Sequence, residues 1–404
     1  MLHRMKKFLQ DAYRGTRART STALFYLFRL FPLQDKVVAS SYRGKNYSDN
    51  PRYILEMIHR TNPSLKIYWQ KDPKYRYQLP SFIKSFPFYS CFKKTYHLAT
   101  AKVWIDSNRT EGHIRKRKGQ LYIQTWHGGL GIKKIQNDVK TVAQSSWQIQ
   151  EINNTSKLAD LFISNSNHIT QIYRNSFHYT GKIWKCGYPK NDILVQGDSQ
   201  VYNKVRKEFH IPENAKIFLY APTFRETLHQ DMFDIDWEQV KSCLDRVWGG
   251  SWEIFVRWHP SMAPDMKKFD SKFKNFVHNA TLYPDMQELI LACNAFMSDY
   301  SSGIFDAALC KVPCFSYAPD YDEYKENHGV YYELSDLPFP FAKSHPQLLE
   351  LLEQNSNYFN DNAWNGFTAK TGLYETGHSS KDIADLINEF IKGNKQPLDE
   401  IQSD

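Results

Sequence analysis

From Val37 onward the chain alternates short runs of β-branched, aromatic and aliphatic residues with longer stretches of amphipathic, helix-length pattern. Val37–Ser40, Lys66–Trp69, Lys102–Asp106, Leu121–Gln124, Leu161–Ser164 and Lys182–Lys185 read as one series of strands. Lys216–Tyr220, Trp252–Val256, Ala295–Ser298 and Pro313–Tyr317 read as a second. Strands of this composition, spaced by helix-length segments, predict βαβ units and parallel sheets. Two series, each of domain length, predict an α/β architecture of two Rossmann-like domains. The polar stretch Gln196–Gln200 marks the boundary, and a helix over Val201–Phe209 opens the second half. The expected organisation is a basic segment over residues 1–35, domains over 36–198 and 199–392, and a polar tail over 393–404.

Length and composition agree with this division. A chain of 404 residues is too long for one ordinary core, and an apolar fraction of 41% with 15% aromatics is ample for two. No apolar run is long enough to span a bilayer. The N-terminus also lacks the apolar segment and small-residue cleavage site of a secretory leader, so a cytosolic chain is expected. The six cysteines form no CxxC pair, which predicts buried free thiols and gives no zinc site or disulfide framework.

Charge adds one element. The chain carries a net +9, and residues 1–30 hold seven basic residues against Asp11 alone, or +6 of that excess. Interleaved with them are Met5, Phe8, Leu9 and Tyr13, then the run Ala23–Phe28. This mixture suits a helix lying in an anionic membrane interface; the plainer alternative is a basic helix docked on the protein body. The small remaining excess gives no reason to expect nucleic acid.

In parallel α/β sheets ligands bind beyond the carboxyl ends of the strands, so the residues just past each strand matter most. After Ile123 come Gln124-Thr125-Trp126-His127-Gly128-Gly129, then Lys133. After Tyr220 come Thr223 and Arg225; after Val256, Arg257 and His259; after Met297, Ser298-Asp299-Tyr300-Ser301-Ser302-Gly303. Each has a plainer reading: His127 as a core histidine, His259 as a surface residue, the serines as an N-cap. Four polar motifs, all at predicted strand ends, together predict a pocket for a multiply charged phosphate ligand. Dinucleotide-binding GxGxxG and GxxxxGK[ST] fingerprints are absent, which disfavours NAD enzymes and P-loop NTPases.

These motifs identify a resemblance. SSYRGKNYSDNPRYI (Ser40–Ile54), QTWHGG (Gln124–Gly129), GYPKNDIL (Gly187–Leu194), YAPTFRE (Tyr220–Glu226), RWHP (Arg257–Pro260), SDYSSGIFDAAL (Ser298–Leu309) and YAPDYDEY (Tyr317–Tyr324) resemble, in this order, the CDP-glycerol glycerophosphotransferase family of teichoic-acid and capsule synthesis. The resemblance covers roughly residues 35–390. It implies a GT-B fold with the active site between the domains, CDP-glycerol as co-substrate, CMP as leaving product, and no metal or other cofactor. Two departures stand out: Gly-Gly-Leu-Gly follows His127 where Gly-Thr-Pro-Leu is usual, and Trp258 replaces Pro or Met before His259.

The resemblance also implies roles. His127 is expected as general base and His259 as a pyrophosphate ligand. Thr223, Arg225, Arg257, Asp299, Ser301, Ser302 and Gly303 are expected around the donor, with Asp299 orienting a group or holding its loop. Trp126, Gly128, Gly129 and Lys133 form the acceptor-side loop. The expected acceptor is a lipid-linked or polymeric glycan, reached from the cytoplasmic face of an anionic membrane. Competing expectations are a nucleotide-sugar glycosyltransferase of the same fold, a CDP-ribitol-dependent transferase, and a non-catalytic membrane-binding protein.

Overall fold

The computed structural model describes residues 2–139, 146–225, 235–259, 275–355 and 359–401, without the side chains of residues 2–14 and 146–148. Most of the basic residues of the N-terminal segment, together with Glu226 and Pro260 of the motifs, thus lie outside the described parts.

The first sheet has seven strands: β1 (Gln34–Ser40), β2 (Lys66–Lys71), β3 (Ile83–Pro87), β4 (Ala101–Asp106), β5 (Leu121–Gln124), β6 (Leu161–Ser164) and β7 (Lys182–Lys185). The second has six: β8 (Ala215–Tyr220), β9 (Ser251–Val256), β10 (Val277–Asn279), β11 (Ala295–Ser298), β12 (Cys314–Tyr317) and β13 (Phe341–Ala342). Their orders, β3-β2-β1-β4-β5-β6-β7 and β10-β9-β8-β11-β12-β13, follow one plan. Both sheets are parallel throughout, with β1 beside β4 and β8 beside β11. Each therefore reverses strand order once, between its first and fourth strands, and a ligand crevice opens there. This is a two-domain α/β fold of GT-B type.

The central strands are buried on both faces, as the continuous apolar runs require: every residue of β5, β6, β11 and β12 is buried. The strands without a sequence signal are β3, β10 and β13, and all three lie at sheet edges. An edge strand packs on fewer neighbours, so short mixed sequences such as Val277-His278-Asn279 suffice there.

Three features depart from the expected division. Helix α1 (Leu2–Phe28) docks on α3 (Cys91–Thr100) of the first domain, burying Ser21, Phe25 and Phe28. The helix Ser379–Lys392, expected in the second domain, packs on α2 (Asp49–Thr61) and joins the first domain's core through Ile383, Ala384 and Ile387. The tail is also held: Lys182 Nζ donates to the carbonyls of Leu398 (2.8 Å) and Ile401 (3.0 Å). An amphipathic pattern declares a buried face but not which sheet covers it. All six cysteines are free thiols, four of them buried.

Candidate active site

The crevice of the first domain is built from the turns after β1, β4 and β5. After β1 the backbone folds back through Tyr42, Arg43 and Gly44, with φ of 47°, 57° and 78°. A side chain at Gly44 would meet the Gln70 carbonyl oxygen at 2.4 Å, so only glycine closes this turn. After β5 the Gln124 side chain accepts the Trp126 N–H at 2.8 Å and holds Trp126 at φ 50°. Of the non-glycine residues with positive φ among the described residues, Tyr42, Arg43, Asp49 and Trp126 all fall around this crevice. Strained backbone concentrates where the fold must aim side chains.

His127 is the group so aimed. Its Nδ1 lies 2.9 Å from the Ser107 carbonyl oxygen beyond β4. Its ring stacks on buried Trp126 (centroids 4.3 Å) and meets Tyr42 at 5.6 Å. The peptide on either side is tied down: Asn50 Nδ2 donates to the Trp126 carbonyl (3.2 Å), and Lys190 Nζ to the His127 carbonyl (3.3 Å). Lys190 also bridges to Asp306 of the second domain at 2.9 Å.

The facing crevice comes from the turns after β8, β9 and β11. Asp299, fully buried, accepts from the backbone and hydroxyl of Thr223 at 2.8 and 2.6 Å and from Arg225 at 2.8 Å. Arg225 also pairs with Asp320 at 2.7 Å, donates to the Thr223 carbonyl, and lies over the rings of Tyr300 and Tyr324. Its guanidinium is thus committed to the protein. The expected phosphate contact from Arg225 gives way to a structural role, and Asp299 and Thr223 belong to the same brace. Arg257 is anchored by donation to the Tyr283 carbonyl at 2.7 Å. Ser301 Oγ accepts the Gly303 N–H at 3.2 Å.

The two sets converge. The Cβ position of Gly128 lies 3.8 Å from Ser302 Oγ, so the loop after His127 reaches the serine turn of the second domain. The loop then docks on the second domain: Leu130 and Ile132 enter its core, and Tyr331 N–H donates to the Ile132 carbonyl at 2.7 Å. The expected acceptor-side loop is thus a bridge between domains. Lys133 rides on it, paired in a bridge with Val330, and has no ion-pair partner among the described residues.

Charge confirms the convergence. Burial pushes His127 down from 6.5 to about 4, and Lys133, Lys190 and His259 push in the same direction. His259 is exposed at the cleft rim, as its plainer reading expected; partial burial there and then Lys133, Lys45 and Arg257 also lower it, to about 4. Burial lowers Lys133, opposed by the field of Asp299. Two histidines from opposite sheets therefore sense each other within a ring of cations. Such a site holds both imidazoles neutral and favours an anion between them. Tyr42 and Lys190 were not singled out from the sequence, although both stand inside family motifs. Tyr42 follows the strand beside the crevice, a position that marks it once strand order is known.

Comparisons with known proteins place this geometry. The family model of CDP-glycerol:poly(glycerophosphate) glycerophosphotransferase matches residues 23–389. A teichoic acid poly(glycerol phosphate) polymerase from Bacillus subtilis (strain 168) is 28% identical over 91% of this chain and 51% of its own length. One from Bacillus spizizenii is 27% identical over 95% of this chain and 100% of its own length. The chain thus spans about half of the first relative and all of the second. Among solved structures, the wall teichoic acid polymerase TagF, in a histidine-to-asparagine variant soaked with CDPG, superposes with a TM-score of 0.80. It is 26% identical, and the match covers 97% of this chain and 99% of that one. With a family match over residues 23–389, the chain belongs to the CDP-glycerol:poly(glycerophosphate) glycerophosphotransferase family.

Proposed function

We propose that this chain transfers glycerol phosphate from CDP-glycerol to a hydroxyl of a teichoic-acid-type glycan, releasing CMP. The observation that carries the reading is the convergence of the His127 loop on the second domain, where Gly128 meets the Ser302 turn, Lys133 bridges to Val330 and Lys190 joins the His127 carbonyl to Asp306, with His259 and Arg257 on the facing turn after β9. The acceptor oxygen attacks the phosphorus that bears glycerol, in line with the oxygen bridging to CMP. A P–O bond forms to the acceptor as the P–O bond to CMP breaks. The acceptor proton passes to Nε2 of His127, whose Nδ1 is already engaged by Ser107. His259, Lys133 and the Ser301 and Ser302 hydroxyls receive the diphosphate and the charge that collects on departing CMP. Arg225, Asp299 and Thr223 keep that wall rigid without touching substrate.

The site works at a membrane surface. No helix among the described residues is long and apolar enough to cross a bilayer. At the C-terminal end of α1 and just past it Tyr26, Leu27, Leu30 and Phe31 are exposed, as is Phe92 of α3, whose ring meets Phe28 edge-on at 5.0 Å. Exposed apolar residues with the Arg29 guanidinium over the Tyr26 ring suit peripheral docking on anionic lipid.

The deciding experiment incubates the protein with CDP-glycerol, CDP-ribitol and a panel of UDP-sugars, with glycan acceptors, and tracks nucleotide release and product mass. CMP release from CDP-glycerol with an acceptor gain of one glycerol phosphate unit is expected. Release of UDP, or preference for CDP-ribitol, would overturn the donor assignment.

A further inference from the structure

Asp49 opens α2 in an unusual state. It is a non-glycine residue at φ 64° and is 3% exposed. Its Oδ1 accepts the Asn50 N–H at 2.8 Å, while Oδ2 is buried with no hydrogen-bond partner. The Tyr42 phenol lies against this carboxylate, and the Lys190 ammonium partly offsets its charge. The next residue, Asn50, binds both the Trp126 carbonyl and the Lys190 N–H, so Asp49 belongs to the frame that carries His127.

A buried carboxylate oxygen left without a donor is costly, and a strained backbone adds to the cost. Helix α2 does not need the positive φ, which asparagine or glycine would adopt more comfortably, and Lys190 offsets the charge from a distance without supplying Oδ2 with a hydrogen bond. The carboxylate therefore answers to something that enters the crevice. Phosphate is excluded, because a carboxylate repels it. A metal finds no set of three His, Cys, Asp or Glu ligands among the described residues. The nucleotide is assigned to the second domain, so what remains of the substrates for a group on the first is the alcohol groups of the glycerol and the acceptor. Burial raises the carboxyl to about 6, which leaves it mainly ionised and a strong acceptor at neutral pH.

We infer that Asp49 is a substrate-contacting specificity residue that accepts a hydrogen bond from a polyol hydroxyl, with Tyr42 covering it until the substrate arrives. The inference rests on the glycerophosphate-transfer reading. The hydroxyl belongs either to the glycerol of the donor or to the acceptor, and the test separates the two.

Asp49→Asn keeps the shape and tolerates the same φ, Asp49→Gly relieves it, and Lys190 keeps its ion pair with Asp306, so both are expected to fold. CDP-glycerol and CMP affinities are measured by calorimetry beside the acceptor KM. If the acceptor is read, Asp49→Asn raises acceptor KM by about ten- to hundredfold with both nucleotide affinities unchanged. If the donor glycerol is read, CDP-glycerol affinity falls by a similar factor and CMP affinity does not. Unchanged values in both arms, or equal loss of CDP-glycerol and CMP, would overturn the inference. Wild-type protein that releases no CMP from CDP-glycerol would sink the underlying reading instead.

Discussion

The Nδ1 of His127 lies 2.9 Å from the carbonyl oxygen of Ser107, and a carbonyl can only accept. The proton of the neutral ring is therefore on Nδ1, and Nε2 is left with its lone pair. Ser107 directly follows β4, the strand beside the switch point, so the topology itself sets the tautomer. With burial keeping the ring neutral, the fold delivers a base that needs no prior deprotonation.

His127→Ala is expected to lower turnover by about 10²–10⁴-fold while CDP-glycerol affinity stays near wild type. His259→Ala is expected to weaken donor binding as well as turnover. Calorimetry beside CMP-release kinetics makes the comparison. The opposite pattern, with His127→Ala losing affinity and His259→Ala keeping it, would exchange the two roles.

The pH profile is set by the same ring. An ordinary histidine protonates near 6.5, but His127 does so only near 4, so its basic form persists through that interval. His127 should therefore contribute no acid limb to kcat/KM between pH 7 and pH 5.5, and a fall near pH 6 should be that of Asp49 and be absent in Asp49→Asn. Stability has the same sign: the unfolded chain binds this proton first, so the neutral ring's contribution is lost as pH falls from about 6.5 toward 4. An acid limb at 6.5 that disappears in His127→Gln would contradict a pre-set base.

Ser301→Ala/Ser302→Ala should weaken CDP-glycerol binding by about 1–2 kcal/mol per hydrogen bond lost to the diphosphate. The fold should be untouched, since among the described residues the two hydroxyls brace only the local turn. Donor affinity equal to wild type in the double variant would remove the serines from the site.

Arg225→Met should behave as a stability variant first. It strands Asp299 and Asp320, both buried or nearly so, and breaking such pairs costs about 3–5 kcal/mol. Urea unfolding should show the loss, and Arg225→Lys should recover little, because one ammonium cannot reach both carboxylates or lie flat on Tyr300 and Tyr324. Full stability with lost donor binding would restore the phosphate contact expected from sequence.

For the membrane surface, Leu27→Ser/Leu30→Ser/Phe31→Ser should abolish sedimentation with vesicles containing anionic lipid. The melting temperature should fall only slightly, because Leu27 and Leu30 are exposed and Phe31 gives up only its edge contacts with Phe28 and Tyr96. CMP release with a water-soluble acceptor should also be retained. Vesicle binding equal to wild type would assign the patch to another partner.

The sequence by itself determined the two sheets, because central parallel strands must be apolar on both faces and so announce themselves as continuous runs. It also determined where chemistry would sit, because polar motifs such as Trp126-His127 and Ser298–Gly303 fall directly after those runs. Tertiary structure alone decided which motif residues face substrate. Arg225 and Arg257 look alike in sequence, yet Arg225 is enclosed by two carboxylates while Arg257 is held by a backbone carbonyl. It alone returned the helix Ser379–Lys392 to the first domain and brought Asp49 beneath Tyr42, since both depend on contacts between residues far apart in the chain. Local patterns record which face of an element is buried; the identity of the neighbour that buries it is a property of the packed whole.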